Sequence, residues 1–221
     1  GTIQMVYEPT FNQATSVIDP KGNRTAFFYD SKGNMIQAQD ALGNFTTLSY
    51  DIQGHVTATK DPLGNVTSYT YNGNGALTSV VDPMGRTTTI QQDALSRPTR
   101  QIDPANKQTD FSYDATGNPT QIKNALNGIT SYSYQPGRGG KQLQTVTDAN
   151  NHTTTFGYDI IGRQTSLVNA LNQSSFISYD KKGKPTSITT KNGQIITLSY
   201  DNLERLTQMT FPEGNGTYDY D

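Results

Sequence analysis

Short runs of alternating apolar and polar residues recur along the chain, separated by clusters of Asp, Pro, Gly and Asn. Thr67, Tyr69 and Tyr71 alternate with Val66, Ser68 and Thr70, the period-two pattern of a strand. A second short run, Leu77-Thr78-Ser79-Val80-Val81, follows and ends at Asp82-Pro83-Met84-Gly85-Arg86. That segment, like Asp61-Pro62-Leu63-Gly64-Asn65, reads as a tight turn: proline presets φ after the Asp, and Gly or Asn takes the left-handed position. Tyr50-Asp51-Ile52-Gln53-Gly54 follows the same logic, and Gly33, Gly75, Gly117, Gly162 and Gly183 fill the equivalent slot. No stretch carries a helical apolar period with caps. The pattern predicts antiparallel β-hairpins and an all-β chain.

The hairpins repeat. Tyrosines that precede an acidic or small polar residue stand at Tyr7, Tyr29, Tyr50, Tyr71, Tyr113, Tyr134, Tyr158, Tyr179, Tyr200 and Tyr220, almost all 21 residues apart. Gln92 fills the one empty slot. In register with them runs a turn column of Gly22, Gly43, Gly64, Gly85, Asn106, Asn127, Asn151, Asn172, Gly193 and Gly214. All ten are residue types that tolerate φ > 0. Five residues further on lies a column of Phe27, Leu48, Tyr69, Ile90, Phe111, Tyr132, Phe156, Ile177, Leu198 and, one residue short, Tyr218. All 13 tyrosines fall in the first and last of these columns. Residues 1–221 therefore read as one array of about ten 21-residue units.

Ten units imply roughly twenty strands and on the order of 95 Å of sheet at about 4.8 Å per strand. Open twisted sheets of more than about ten strands curl or split. The expected architecture is a continuous antiparallel ribbon of hairpins curving into a spiral or open shell, one layer thick and held by Tyr and Phe ladders along neighbouring strands. One irregularity, near 135–143, replaces the usual turn with Gln135-Pro136-Gly137-Arg138-Gly139-Gly140 and adds three residues, which reads as a longer hairpin loop. Because the chain starts before a repeat and stops on a new marker, it is expected to be a fragment of something longer.

Composition narrows the function. The chain is 32% hydrophobic and 16% charged, with net charge −2 and no cysteine. Both fractions are low for a globular domain, yet 13 Tyr and 8 Phe separate it from disordered chains. A near-neutral chain lacks the electrostatic footprint for nucleic acid. No apolar run is long enough to span a bilayer as a helix. The absence of cysteine removes disulfides, thiolate metal sites and cysteine nucleophiles. His55 and His152 sit in turns of distant repeats, and each turn offers too few carboxylates for calcium. No catalytic residues, cofactor or metal are expected.

The unit Tyr-Asp-x-x-Gly-(Asn/Arg) combines with Asp-Pro-x-Gly-Asn and Thr-x-Tyr-x-Tyr-Asp. Examples are Tyr29-Asp30-Ser31-Lys32-Gly33-Asn34 and Tyr158-Asp159-Ile160-Ile161-Gly162-Arg163. This unit resembles the YD repeat of the Rhs family, which includes bacterial polymorphic toxins, shell components of insecticidal toxin complexes, wall-associated proteins and teneurins. The resemblance implies a β-sheet shell that encloses a C-terminal toxin or effector in a large secreted or cell-surface protein. The family's self-cleavage motif, Asp-Pro-x-Gly-Leu, is not matched: Asn65 and Arg86 follow the two best candidates, and both lie mid-array. Expected partners are the remaining repeats of the parent chain and the enclosed domain, with self-association through open sheet edges. The rival expectation is an adhesion module that binds glycan or a partner protein through exposed tyrosines.

Overall fold

The computed structural model describes residues 2–217, in two units, 1–109 and 110–221. Twenty-one strands and no helix are present among the described residues. Within each unit the strands pair antiparallel with their neighbours in sequence. In the first unit, for example, Phe45–Tyr50 pairs with Val56–Lys60, which pairs with Val66–Tyr71, which pairs with Leu77–Val81. In the second, Thr153–Tyr158 pairs with Gln164–Val168 and that strand with Ser174–Tyr179. Forward strands are typically six residues long and return strands five.

The ladder follows from composition. Thr, Val, Tyr, Phe and Ile are residues whose branched or aromatic side chains fit a pleated surface. The turns between them bring each strand back beside its predecessor with no crossover. Each marker-side hairpin carries a bulge: Tyr29 pairs with Met35 while Phe28 pairs with Gln37, leaving Ile36 as the extra residue. The same shift recurs before Tyr50, Tyr71, Tyr113, Tyr134, Tyr158, Tyr179 and Tyr200. A bulge tightens local twist and re-aims the side chains beside it.

Register separates two faces. One carries the paired positions Phe27–Ala38, Leu48–Thr59 and Tyr69–Val80 in the first unit. In the second it carries Phe111–Ile122, Tyr132–Val146, Phe156–Leu167, Ile177–Ile188 and Leu198–Met209. The other face pairs Thr70 with Ser79, Ser133 with Thr145, Ser178 with Ser187 and Thr197 with Thr210. Directly opposed pairs of this kind each contribute roughly 0.2–1 kcal/mol. Only Ala26 and Ser16, each 4% exposed, are buried among the described residues; the apolar face is half-covered throughout.

The segment 135–143 departs from expectation. The extra residues lengthen the strands instead of the loop: Ile129–Gly137 pairs with Gly140–Thr147 down to Gly137 opposite Gly140. Only Arg138 and Gly139 remain outside the ladder. Gly139, at φ +85°, lets the chain reverse in two residues.

Candidate functional site

The repeated side chains converge on the turns, and both rows of turns share one construction. In Asp61-Pro62-Leu63-Gly64-Asn65 the Gly64 N–H donates to the Asp61 carbonyl (3.0 Å) and the Asp61 N–H to the Asn65 carbonyl (2.9 Å). This is a three-residue hairpin loop whose third residue must be left-handed. Along this row the left-handed residues are Gly22, Gly43, Gly64, Gly85, Asn106, Asn127, Asn151, Asn172 and Gly193, with φ between +60° and +88°. Gly214 departs from the row. It pairs with Phe211 across a two-residue turn at Pro212-Glu213 and lies at φ +154°. In the other row Gly33, Gly54, Gly75, Gly117, Gly162 and Gly183 lie between +79° and +94°. The repeats without glycine place Ser96 (+61°) and Glu204 (+66°) there, which the glycine pattern alone does not reveal.

The leading Asp of each turn serves the turn itself. Asp61 Oδ1 accepts the N–H groups of Leu63 (2.9 Å) and Asn65 (2.8 Å), and Oδ2 accepts the Asn65 side-chain amide (2.7 Å). The Asn65 amide first, then the turn N–H groups, hold this carboxyl below the usual aspartate range. Asp19, Asp30 and Asp40 are lowered the same way, each chiefly by its own Asn four residues on. Asp114 is lowered furthest, by the Lys141 ammonium and then Asn118. Asn72, Asn124 and Asn169 take the leading position elsewhere and accept the same two backbone donors.

In several marker-side hairpins the residue that closes the turn reaches into the next repeat. His55 stacks on the Tyr71 ring with centroids 4.8 Å apart. Arg163 lies 4.5 Å over Tyr179 and Lys184 4.9 Å over Tyr200, both within cation–π range. Gln13 Nε2 donates to the Gly33 carbonyl and Gln142 Nε2 to the Gly162 carbonyl, each at 3.0 Å. Within the expected Tyr and Phe ladders along neighbouring strands, successive marker rings are thus joined through a turn residue. Equivalent residues of a hairpin ribbon stand on every second strand, about 9.6 Å apart at the usual spacing. That gap is too wide for rings to touch, so the intervening turn residue fills it.

Four marker-tyrosine hydroxyls reach back to the preceding hairpin. Tyr29 donates to the Ala14 carbonyl, Tyr50 to Met35, Tyr71 to Val56 and Tyr179 to Gln164, each at 2.8 Å. Each acceptor is the residue opposite the preceding marker, at the bulge. Gln92 does the same work with its amide, donating to the Leu77 carbonyl at 2.6 Å, which explains why glutamine replaces tyrosine there. Burial first, then the nearby carboxylate of the preceding turn, raises the hydroxyl pKa of Tyr50 and Tyr200. Tyr113, Tyr134, Tyr158 and Tyr200 occupy the same half-buried register position, opposite Pro119, Leu143, Gln164 and Leu206. Tyr69, Phe111, Tyr132 and Phe156 lie on the apolar face, half-buried. Tyr218 and Tyr220 lie outside the described residues.

His55 and His152 fill the fifth turn slot and face Asp51 and Asp148 Oδ2 at 2.8 and 3.1 Å. No group of three or more metal-ligating side chains occurs among the described residues. A cleft between adjacent marker-side turns is lined by Asp51, Gln53, His55, Tyr69, Tyr71 and Asn72. The acceptor oxygens of Asp51 and Asn72 there are taken up by their own turns.

A protein-family model described as RHS Repeat matches residues 10–44, 50–87, 93–129, 140–173 and 179–215. No curated protein matches the sequence. Among solved structures, a crystal structure titled TcdB2-TccC3-Cdc42 is similar at 15% identity and a TM-score of 0.41, over 99% of this chain and 17% of that one. A Photorhabdus luminescens Tc holotoxin pore carrying a TccC3 mutation gives 15% identity and 0.40 over the same shares. A porin-like protein from Bacteroides uniformis gives 14% and 0.27, over 92% of this chain and 95% of that one. The chain thus spans about a sixth of the toxin-complex chains that it matches.

Proposed function

The chain belongs to the RHS repeat family, and from that premise we propose that it is a wall segment of a shell enclosing a C-terminal toxin or effector of a larger secreted or surface protein. As part of a structural repeat array, it would act by separating cargo from solvent and proteases. We further read residues 1–221 as one continuous stretch of that wall and its role as non-enzymatic. The observation that supports this reading is the two-faced, single-layer hairpin ladder. Its repeated polar side chains are spent on turns and neighbouring repeats: aspartates on turn N–H groups, tyrosine hydroxyls on backbone carbonyls. Tyr71, Tyr179 and Tyr200 have a ring face covered by a turn residue, which leaves less aromatic surface for the stacking that a glycan-binding adhesin needs.

Limited proteolysis of the full parent chain tests the proposal. The segment downstream of residue 221 is expected to resist protease while the repeats are intact and to be digested once they are opened. Cleavage of that segment at the intact-repeat stage would overturn containment.

A further inference from the structure

Where the marker column lacks its tyrosine, at Gln92, the residues around it depart from the pattern as well. The marker-side turn one repeat earlier is led by Asn72, whereas Asp30, Asp51, Asp93 and Asp114 lead the flanking ones. The residue that closes the Asn72 turn is Ala76, which falls opposite Gln92 when the Ser79–Thr89 register is carried on. His55 and Arg163 hold that slot beside Tyr71 and Tyr179. Three exceptions thus meet at one junction between hairpins. Turn geometry requires none of them: Asn72 Oδ1 accepts the N–H groups of Asn74 and Ala76, each at 3.0 Å, as the aspartates do in their own turns.

Hydrogen-bond polarity joins them. Asn72 Nδ2 donates to Gln92 Oε1 at 2.9 Å, and Gln92 Nε2 donates to the Leu77 carbonyl at 2.6 Å. An aspartate at position 72 has acceptors only, so it would set a carboxylate oxygen against Gln92 Oε1. Turning the Gln92 amide over moves the conflict to the Leu77 carbonyl, and one acceptor faces another either way. A tyrosine makes no such demand. Its hydroxyl donates to the carbonyl, as Tyr71 does to Val56, with the Asp51-led turn beside it. Nor does Gln92 offer a ring, so a stacking residue at position 76 would have nothing to cover.

We infer that Asn72, Ala76 and Gln92 are a matched set that selects which hairpins stand side by side. The Gln92 hairpin fits behind a turn led by asparagine and fits poorly behind one led by aspartate. The backbone ladder is built alike at each junction and does not tell one neighbour from another, so the discrimination lies in these side chains. It works by penalising the wrong neighbour as much as by rewarding the right one.

One substitution in two chains tests the selection, read by denaturant unfolding. In the 221-residue chain the Asp51 turn is followed by the Tyr71 hairpin; removing residues 61–81 brings the Gln92 hairpin behind it instead. In the shortened chain Asp51→Asn should lower the unfolding equilibrium constant at least about fivefold, by giving Gln92 the donor that it lacks. In the full chain the same substitution should not stabilise. A double-mutant cycle in the full chain provides the second comparison: Asn72→Asp should be less favourable beside Gln92 than in a Gln92→Tyr background, again by at least about fivefold. An Asp51→Asn effect that is the same in both chains, or an Asn72→Asp effect that is the same in both backgrounds, overturns the inference. If the shortened chain does not fold, the cycle decides it alone.

Discussion

Gly75 meets two separate demands. Its φ of +79° is costly for any residue with a Cβ, and a Cβ there would stand 2.7 Å from His55 Nε2. Gly64, at φ +87°, meets only the first, since its nearest neighbour would be Lys60 Cε at 3.8 Å. Gly64→Val is therefore expected to cost on the order of 1–3 kcal/mol by backbone strain, read from chemical denaturation. Gly75→Ala should cost more than Gly64→Ala. A double-mutant cycle with His55→Ala should recover a coupling above about 0.5 kcal/mol; independent effects would remove His55 from the account. Ser96 supports the same logic from the other side: the fifth turn residue one repeat earlier is Ala76, which has nothing beyond Cβ to crowd it. The left-handed columns were legible in the sequence because Gly and Asn recur there. Ser96 and Glu204 were not, since nothing in their own chemistry announces φ > 0.

Beyond the backbone ladder, neighbouring hairpins are tied where a marker hydroxyl and a turn residue reach across, as at Tyr50 and at His55. Tyr50→Phe keeps the ring and removes the bond to the Met35 carbonyl. The expected loss is about 1 kcal/mol, measured by denaturant unfolding, and an unchanged midpoint would show that water serves the carbonyl equally well. Strand boundaries were readable from alternation: Val66–Tyr71 and Leu77–Val81 form as the pattern predicts. The cross-repeat partners were harder to read. His55, Arg163 and Lys184 differ in type, and what they share is a place opposite a tyrosine on the adjacent strand, some sixteen residues away in sequence. The 135–143 segment misled because Pro136 and the three glycines Gly137, Gly139 and Gly140 carry turn composition, yet register carries the pairing through to Gly137.

At the scale of the whole molecule, stability is a sum over near neighbours. Removing one full unit, residues 61–81, preserves both faces and both turn rows, so the shortened chain should fold with strand content per residue unchanged by circular dichroism. Removing residues 61–71 deletes a single strand and transfers every later marker tyrosine to the opposite row; loss of cooperative unfolding is expected. Acid acts on many turns at once. Asp19, Asp30, Asp40 and Asp61 have carboxyls below the ordinary value of 3.8. Their contribution is complete above that pH and is lost as pH falls through the depressed folded values. Tyr50, Tyr71, Tyr134 and Tyr200 are raised above 10.0, by burial first, so their contribution is complete below pH 10.0 and is lost as pH rises through the folded values. A plot of melting temperature against pH should be flat between these limits and fall on both sides.

The overlong hairpin has a consequence for how such a chain finds its own order. Identical units make a degenerate template: a strand that skips one whole unit meets almost the same partner, and little energy separates the right neighbour from the wrong one. Ile129–Gly137 and Gly140–Thr147 break that degeneracy, because no shorter strand can satisfy them. They give a monotonous polymer an address from which its neighbours can be counted.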